Sequence, residues 1–465
     1  MTCHRATLPL LRGNTTLESA LEQEDDILLE LGFPEQRIDF FVSLYSKRDD
    51  IENVASYHLG LGPSETCRIG GVNEWVHGSF NVCIPLYLEK LEIPAMLMKN
   101  FAAKLQRLSG YMRIVRKYLF HSYGVLDLLV AKVGYLVMDY IGNSDVQMLS
   151  ETWDEHRHQR DKRTNLFKGL SRIMLSLSRV PLPRIGSWTL DSNGALRLSN
   201  RPLTLRLHQL ENGGISTNIG RSLTYSAADA YYLDLLSCHD SRIRNQPNSV
   251  SDADDGRAQM ARLTMMKALI PHFSKREHRE GPFFYRLTDL HPSNIFVDSQ
   301  WNVKFVIDLE WACSLPAETL HPPYWLTGRS VDELIGEHLE EFREAYEEFV
   351  DIFEEEEKLF PPINNVYSYR TTLMRNGWQV GNFWYFHALG SPKGLFNLFR
   401  QHVYPIFAPS HQIASEFSRL VSDFWAPDVE EVILAKLRDK EEYDKSLCQL
   451  FDDASDYTRD GALVH

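Results

Sequence analysis

Between Phe283 and Trp311 the chain reads FFYRLTDLHPSNIFVDSQWNVKFVIDLEW, and Asp289, Asn294 and Asp308 have the types and spacing that phosphoryl transfer from a nucleotide needs. A buried strand over Phe283 to Leu287 would deliver Asp289 onto a short loop, where its carboxylate accepts the proton of an attacking hydroxyl. Asn294 then closes the loop and offers an amide oxygen to a magnesium ion. A further apolar strand, Val303 to Ile307, carries Asp308 back to the same point as a charged oxygen ligand. Pro292 fixes its own φ and restrains His291, which shapes the loop through a hydrogen bond or serves as a plain structural histidine. The same letters also read as two short strands and a polar turn, with Asp298 to Asn302 as a hairpin loop and Asp308 as a strand-end cap. An isolated D-x-x-x-x-N carries little weight; the succession of strand, loop, strand, turn and strand around it favours the chemical reading.

Other stretches accompany this one: NEWVHGSFNV (Asn73 to Val82), GYLVMDYI (Gly134 to Ile141), IDLEWA (Ile307 to Ala312) and HPPYWLT (His321 to Thr327). On these residues the chain resembles the aminoglycoside phosphotransferase and choline kinase group, in particular the large fungal set of aminoglycoside-phosphotransferase-like proteins. The resemblance is fullest from Lys132 to Lys358. It implies a protein-kinase-like fold and transfer of a phosphoryl group from ATP, with magnesium, to a hydroxyl of a small molecule. It makes Asp289 the catalytic aspartate and Asn294 and Asp308 the magnesium ligands. The family opens its catalytic loop with His-Gly-Asp, where this chain has Leu287, Thr288 and Asp289. The missing histidine orders that loop without taking a proton, and Thr288 narrows the backbone angles that glycine allows.

The elements that must position these groups begin at Cys67, where turns and short strands take over. Gly70, Gly71 and Gly78 bracket a hairpin. Its tip at Gly78 and Ser79 either lets backbone amides approach ATP phosphates or merely turns the chain. A kinase-like small lobe also needs a strand lysine and a helix glutamate to hold it. Ala95 to Lys99 supplies the strand and makes Lys99 the phosphate contact, yet no glutamate occurs between Ile93 and Ser150. Phe101 to Leu119 instead carries Lys104, Arg107, Arg113, Arg116 and Lys117, a basic face that neutralises phosphate or is simply solvated. Leu136 to Met138 reads as a buried strand, and the resemblance makes Asp139, Tyr140 and Ile141 the connector whose backbone meets adenine.

Composition bounds the reading. With 465 residues, 43% hydrophobic and 24% charged, the chain can bury a sizeable core in two to four structural units. A net charge of -14 and a pI near 5.7 argue against nucleic acid as the main partner. Cys3, Cys67, Cys83, Cys238, Cys313 and Cys448 show no C-x-x-C spacing, so neither a zinc site nor a disulfide framework is expected, and a cytoplasmic setting is. The most apolar stretch, Val125 to Ile141, is interrupted by Asp127, Lys132 and Asp139. No membrane span or signal peptide is therefore expected.

Apolar spacing predicts helix over Thr16 to Tyr45, broken at Gly32-Phe33-Pro34, and again over Asp49 to Gly62 and Trp153 to Leu177. Ile185 to Leu198 reads as a hairpin turning at Asp191 to Gly194. Ser226 to His239 and Gly256 to Phe273 read as helices, with Arg242 to Asp255 an exposed polar loop between them. Val331 to Phe360 is a long acidic helix whose apolar stripe leaves Glu340, Glu341, Glu347, Glu348 and Glu354 to Glu357 largely outward. That face is either solvated or a field drawing a cationic acceptor. Trp311, Tyr324 and Trp325 stack on a cation or pack the core. Tyr369 to Phe407 and Val429 to Leu450 add helices before a short polar tail.

The expected architecture is α/β (α+β), a kinase-like two-lobe fold. Residues 1–66 form an N-terminal helical extension, 67–141 a small nucleotide-binding-like lobe, 142–450 a large catalytic lobe with C-terminal helices, and 451–465 a tail. The expected activity is ATP- and magnesium-dependent phosphorylation of a small-molecule hydroxyl, without nucleic acid or membrane. The rival is a pseudokinase-type binding or scaffold protein. Leu287, the absent glutamate and the irregular small lobe favour the rival; Asp289, Asn294 and Asp308 favour the enzyme.

Overall fold

In the computed structural model of the chain, the apolar run FFYRL becomes strand β1 (Phe283–Leu287), with Phe283 and Phe284 fully buried. Strands β2 (Ile295–Val297) and β3 (Val303–Val306) form the next hairpin, with Ile295 opposite Val306. Strand β4 (Ala312–Pro316) returns antiparallel to β1, placing Leu287 opposite Ala312. The strands expected around the motif are therefore present. The structure describes residues 6–62, 65–78, 81–89, 137, 141, 145–191, 193–363, 368–391, 394–409 and 415–461. It is a mixed α/β protein, rich in helix with small sheets. It divides into two units, one of residues 1–31, 148–189 and 197–465, the other of residues 32–147 and 190–196.

The larger unit packs the strands among helices α1 (Leu149–His156), α2 (Arg160–Leu177), α3 (Leu205–Asn212), α4 (Ala228–Asn245), α5 (Ala253–Phe273), α6 (Glu337–Glu357), α7 (Tyr369–Val380), α8 (Asn382–Gly390) and α9 (Val429–Gly461). On α6, Phe342, Tyr346, Phe349 and Phe353 recur at helical spacing and are buried, Phe349 edge-on to Phe167 of α2 at 5.2 Å. The hairpin tip at Asp298 to Asn302 is built by Asp298 Oδ1, which accepts from the amides of Gln300 and Asn302. Its Trp301 adopts φ +60 and turns wholly inward, stacking on Trp153 of α1 at 5.4 Å and donating to Thr152 Oγ1.

Several expectations are corrected. The helix over 153–177 is two, α1 and α2, separated by a turn. The acidic helix starts only at Glu337, after Gly336 at φ +56. Three of its glutamates face protein rather than solvent: Glu348 pairs with Arg163, Glu356 with Arg172 and Glu357 with Arg370. A stripe analysis misses this because it sorts residues by polarity and cannot see arginines arriving from other helices. The segment from Arg242 to Asp255 is not an exposed loop. α4 runs to Asn245, and Gln246, Asn248, Ser249 and Val250 are buried. Their polarity is satisfied internally, since the side chains of Gln246 and Asn248 donate to carbonyls of Gln23, Glu24 and Asp25, and Lys436 donates to the Gln246 carbonyl. α9 continues past Leu450 to Gly461 because Tyr443, Leu447 and Phe451, one turn apart, bury against Ala20 and Ile27.

The N-terminal run is three helices, Leu17–Glu22, Ile27–Leu31 and Phe33–Tyr45, the last in the smaller unit. There Arg48–Leu59 ends at Gly60, whose φ of +66 suits glycine. Thr66–Ile69 pairs antiparallel with Leu86–Glu89, and Val76–His77 with Val82–Cys83. Trp75 is buried against Phe41 at 5.4 Å and donates to the Gly70 carbonyl. The Lys99 strand and the basic run Phe101 to Leu119 lie outside the described residues, as do Ser79, Asp139 and Tyr140. Among the described residues no helix is long and apolar enough to cross a membrane.

Candidate functional site

β1 ends at Leu287, and its exit is pinned by Thr288, whose amide and hydroxyl both reach the Trp311 carbonyl, at 2.8 and 2.7 Å. That bond ties the Asp289 loop to the loop carrying Asp308. Leu287 and Thr288 stand where a His-Gly pair was the expected loop-ordering device. Here a threonine hydroxyl does the ordering, from the neighbouring residue. A one-turn 3-10 helix, Pro292–Asn294, then closes the loop, and Asn294 is 7% exposed.

Asn294 holds the site together. Its Nδ2 donates to the Asp289 carbonyl at 2.9 Å and to Asp289 Oδ2 at 3.3 Å, while its own carbonyl accepts from the Ile307 amide at 3.0 Å. The side chain thus restrains Asp289, and the β2–β3 hairpin sets Asn294 one residue from Asp308. Asp308 is exposed and adopts φ +54, a left-handed conformation that aspartate tolerates better than most residues. His291 is exposed, with Nδ1 3.2 Å from Ser293 Oγ.

Desolvation dominates the titration of both carboxyls. The half-buried Asp289 is pushed above the usual aspartate range, opposed by His291, the Asn294 hydrogen bond and Arg206. Asp308 is raised by desolvation, then by the charges of Glu310 and Asp289. The Glu310 charge raises both carboxyls, and Asp289 adds to the rise of Asp308. Asp289, Asp308 and the Oδ1 of Asn294, which accepts no hydrogen bond among the described residues, form an all-oxygen donor set of the kind magnesium prefers. Among the described residues no group of three or more His, Cys, Asp or Glu is arranged to hold a metal.

Beside Asp289 opens a cavity of about 660 Å³ within the larger unit. Arg286, Thr288, Asp289 and His291 line it from β1 and the loop, Arg206 from α3, Tyr324 from the HPPYWLT segment and His387 from α8. Trp325 is buried in the core and its indole donates to the Leu290 carbonyl at 2.8 Å, so that segment buttresses the loop from behind. Trp325 packs as one of the two expected readings had it. Trp311 lies 5.2 Å from the His208 ring.

The structure brings Asp289, Asn294 and Asp308 together. Gly78 lies in the smaller unit at a hairpin turn, its amide bonded to the Asn81 carbonyl at 3.0 Å. A Cβ there would come within 2.7 Å of Asn81 Oδ1, the end of a side chain that can move aside. Ile141, half-buried, belongs to the same unit. Sequence reading missed Arg206, Arg286, His321 and His387 as cavity residues.

Compared with protein-family models, with curated proteins and with solved structures, the chain finds no match.

Proposed function

We propose that this protein is an ATP- and magnesium-dependent phosphotransferase with a kinase-like two-lobe fold, acting on a hydroxyl of a small molecule. A cytoplasmic setting belongs to the same proposal. The observation that carries it is the double hydrogen bond from Asn294 to Asp289, at a hairpin end that also presents Asp308. In the reaction, Asp289 takes the acceptor hydroxyl proton while the new oxygen–phosphorus bond forms and the bond from the γ-phosphorus to the bridging oxygen breaks, leaving ADP. Asn294 fixes the Asp289 carboxylate for that step, and Thr288 fixes the loop. Asn294 Oδ1 and Asp308 would hold magnesium, which when bound neutralises phosphate charge.

The test is calorimetric titration with ATP, with and without magnesium, on the wild type, Asp308→Ala and Asp308→Asn. Magnesium-dependent binding is expected for the wild type and loss of that dependence for both variants; a wild type that binds no ATP refutes the proposal. Slow phosphate release from ATP that disappears in Asp289→Ala marks an enzyme. ATP binding without any release marks the rival, a pseudokinase, which Leu287 and the missing glutamate favour.

A further inference from the structure

The cavity beside Asp289 has an uncompensated positive end. Arg286 projects from β1 into its lining, half-buried, with Nη1 donating to the carbonyl and the hydroxyl of Thr319. No carboxylate partners its guanidinium among the described residues. Three other withdrawn arginines of this unit do have one, Arg201 meeting Glu211 at 2.5 Å, Arg370 meeting Glu357 at 3.1 Å and Arg242 lying 3.6 Å from Glu24, whereas Arg262 is withdrawn over the Phe396 ring. Withdrawing a guanidinium from water without a counter-charge costs several kcal/mol, so the lone one at a cavity wall invites an anion.

A second observation points the same way. His321 is 6% exposed, lines the same cavity, and among the described residues neither ring nitrogen has a hydrogen-bond partner. His387 lines it too, its ring 6.0 Å from that of His321. Burial and the Arg286 charge keep both imidazoles neutral, His387 down to about 3, so each offers one N–H donor rather than a charge. The carboxylates in the lining are Asp289 and the exposed Asp332. Glu318, buried and outside the lining, accepts from the Tyr232 hydroxyl and the Lys275 amide. An amine at the Arg286 end would therefore meet a cation and two neutral donors.

We infer that the cavity binds a small organic anion, a hydroxy acid whose carboxylate sits on Arg286 and His321 and whose hydroxyl lies toward Asp289. Arg286 lies on β1 and Asp289 on the turn that follows the end of β1 at Leu287, so carboxylate and hydroxyl are met by different parts of the wall. Leu207, Leu287, Leu320 and Phe386 along the wall suit an apolar spacer. The role of the hydroxyl rests on the proposed phosphotransfer; capture of the carboxylate does not.

The test is calorimetry without nucleotide, using two matched sets: 4-hydroxyphenylacetate, tyrosol and tyramine, then 6-hydroxyhexanoate, 1,6-hexanediol and 6-aminohexanol. The acid of at least one set is expected to bind at least about 30-fold more tightly than its amine. Arg286→Met should abolish that preference and Arg286→Lys should keep part of it, with circular dichroism confirming folding. Should Arg286→Met not fold, the exposed Arg206→Glu replaces it and should weaken the acids alone. Amines binding as well as acids, no binding by either acid at millimolar concentration, or acid binding untouched by the variants would each overturn the inference. Acid binding in a protein that fails to bind ATP would leave this inference standing and remove the phosphotransferase reading.

Discussion

Asp308 combines two demands that a single substitution separates. Its φ of +54 is costly for most side chains, by roughly 1 kcal/mol, while aspartate and asparagine tolerate it through local hydrogen bonding. Asp308→Asn should therefore unfold within about 0.5 kcal/mol of wild type, whereas Asp308→Ala should lose about 1 kcal/mol from the backbone alone. Urea titration measures both, and equal stability of the two variants would remove the backbone argument. Thr288 gives a second residue-scale prediction. Thr288→Val deletes the hydroxyl bond to the Trp311 carbonyl and leaves the amide bond alone to tie the loop to its neighbour. Phosphate release should fall about tenfold with little change in ATP affinity, and Thr288→Ser should restore it. A loss of ATP affinity equal to the loss of rate would instead mean that the bond shapes the nucleotide site.

At the scale of elements, the C-terminus of α6 is locked to the N-terminus of α7 and the C-terminus of α2 by one buried ion pair. Glu357 accepts from the amides of Arg370 and Thr371, from the Thr371 hydroxyl and from the Arg370 guanidinium. Arg370 spends its other donors on Ser178 and lies over the Phe284 ring at 5.6 Å. The carboxylate caps α7 as well as pairing, so Glu357→Ala should cost about 3–5 kcal/mol in urea unfolding. Glu340→Ala, on the exposed face beside Arg343, should cost under about 1 kcal/mol. Equal losses would show that the buried pair has no special weight. Elements of this kind also mark how far the sequence could be read. β1, the β2–β3 hairpin and the Asp289 loop were legible because short apolar runs, Pro292 and Asp298 are local signals. The inward turn of Glu356 and Glu357, and the burial of Gln246 and Asn248, were not. Their partners lie far along the chain, and only tertiary contact turns an outward residue type into a buried one. Arg286 and His321 were hidden for the same reason, since a cavity has no sequence period.

Over the whole of the larger unit, stability against pH follows from groups buried in the wrong charge state. His239, His321, His387 and His402 are all depressed by burial, His239 and His402 to about 4 and His387 to about 3, while Glu318 is raised by burial to about 7. The two kinds oppose each other. Below pH 6.5 the unfolded histidines bind protons that the folded ones refuse, so their share of the stability falls as pH falls toward the folded values. Glu318 in the folded protein instead holds a proton between pH 7 and 4.5 that the unfolded chain has released, so its share rises over that window. Histidines outnumber the glutamate, and the net slope is loss of stability on acidification from pH 6.5. For a fully buried histidine such as His239, 5% exposed and bonded to the Leu389 carbonyl, the loss at pH 5 is about 2 kcal/mol. Urea unfolding at pH 8, 6.5 and 5 should show that decline. Glu318→Gln should stabilise the protein at pH 8, where the buried carboxylate is ionised, and steepen the loss below pH 7 by removing the opposing term. A flat profile between pH 8 and 5, or a Glu318→Gln protein with the wild-type slope, would show that these groups are not withdrawn from water as their packing requires.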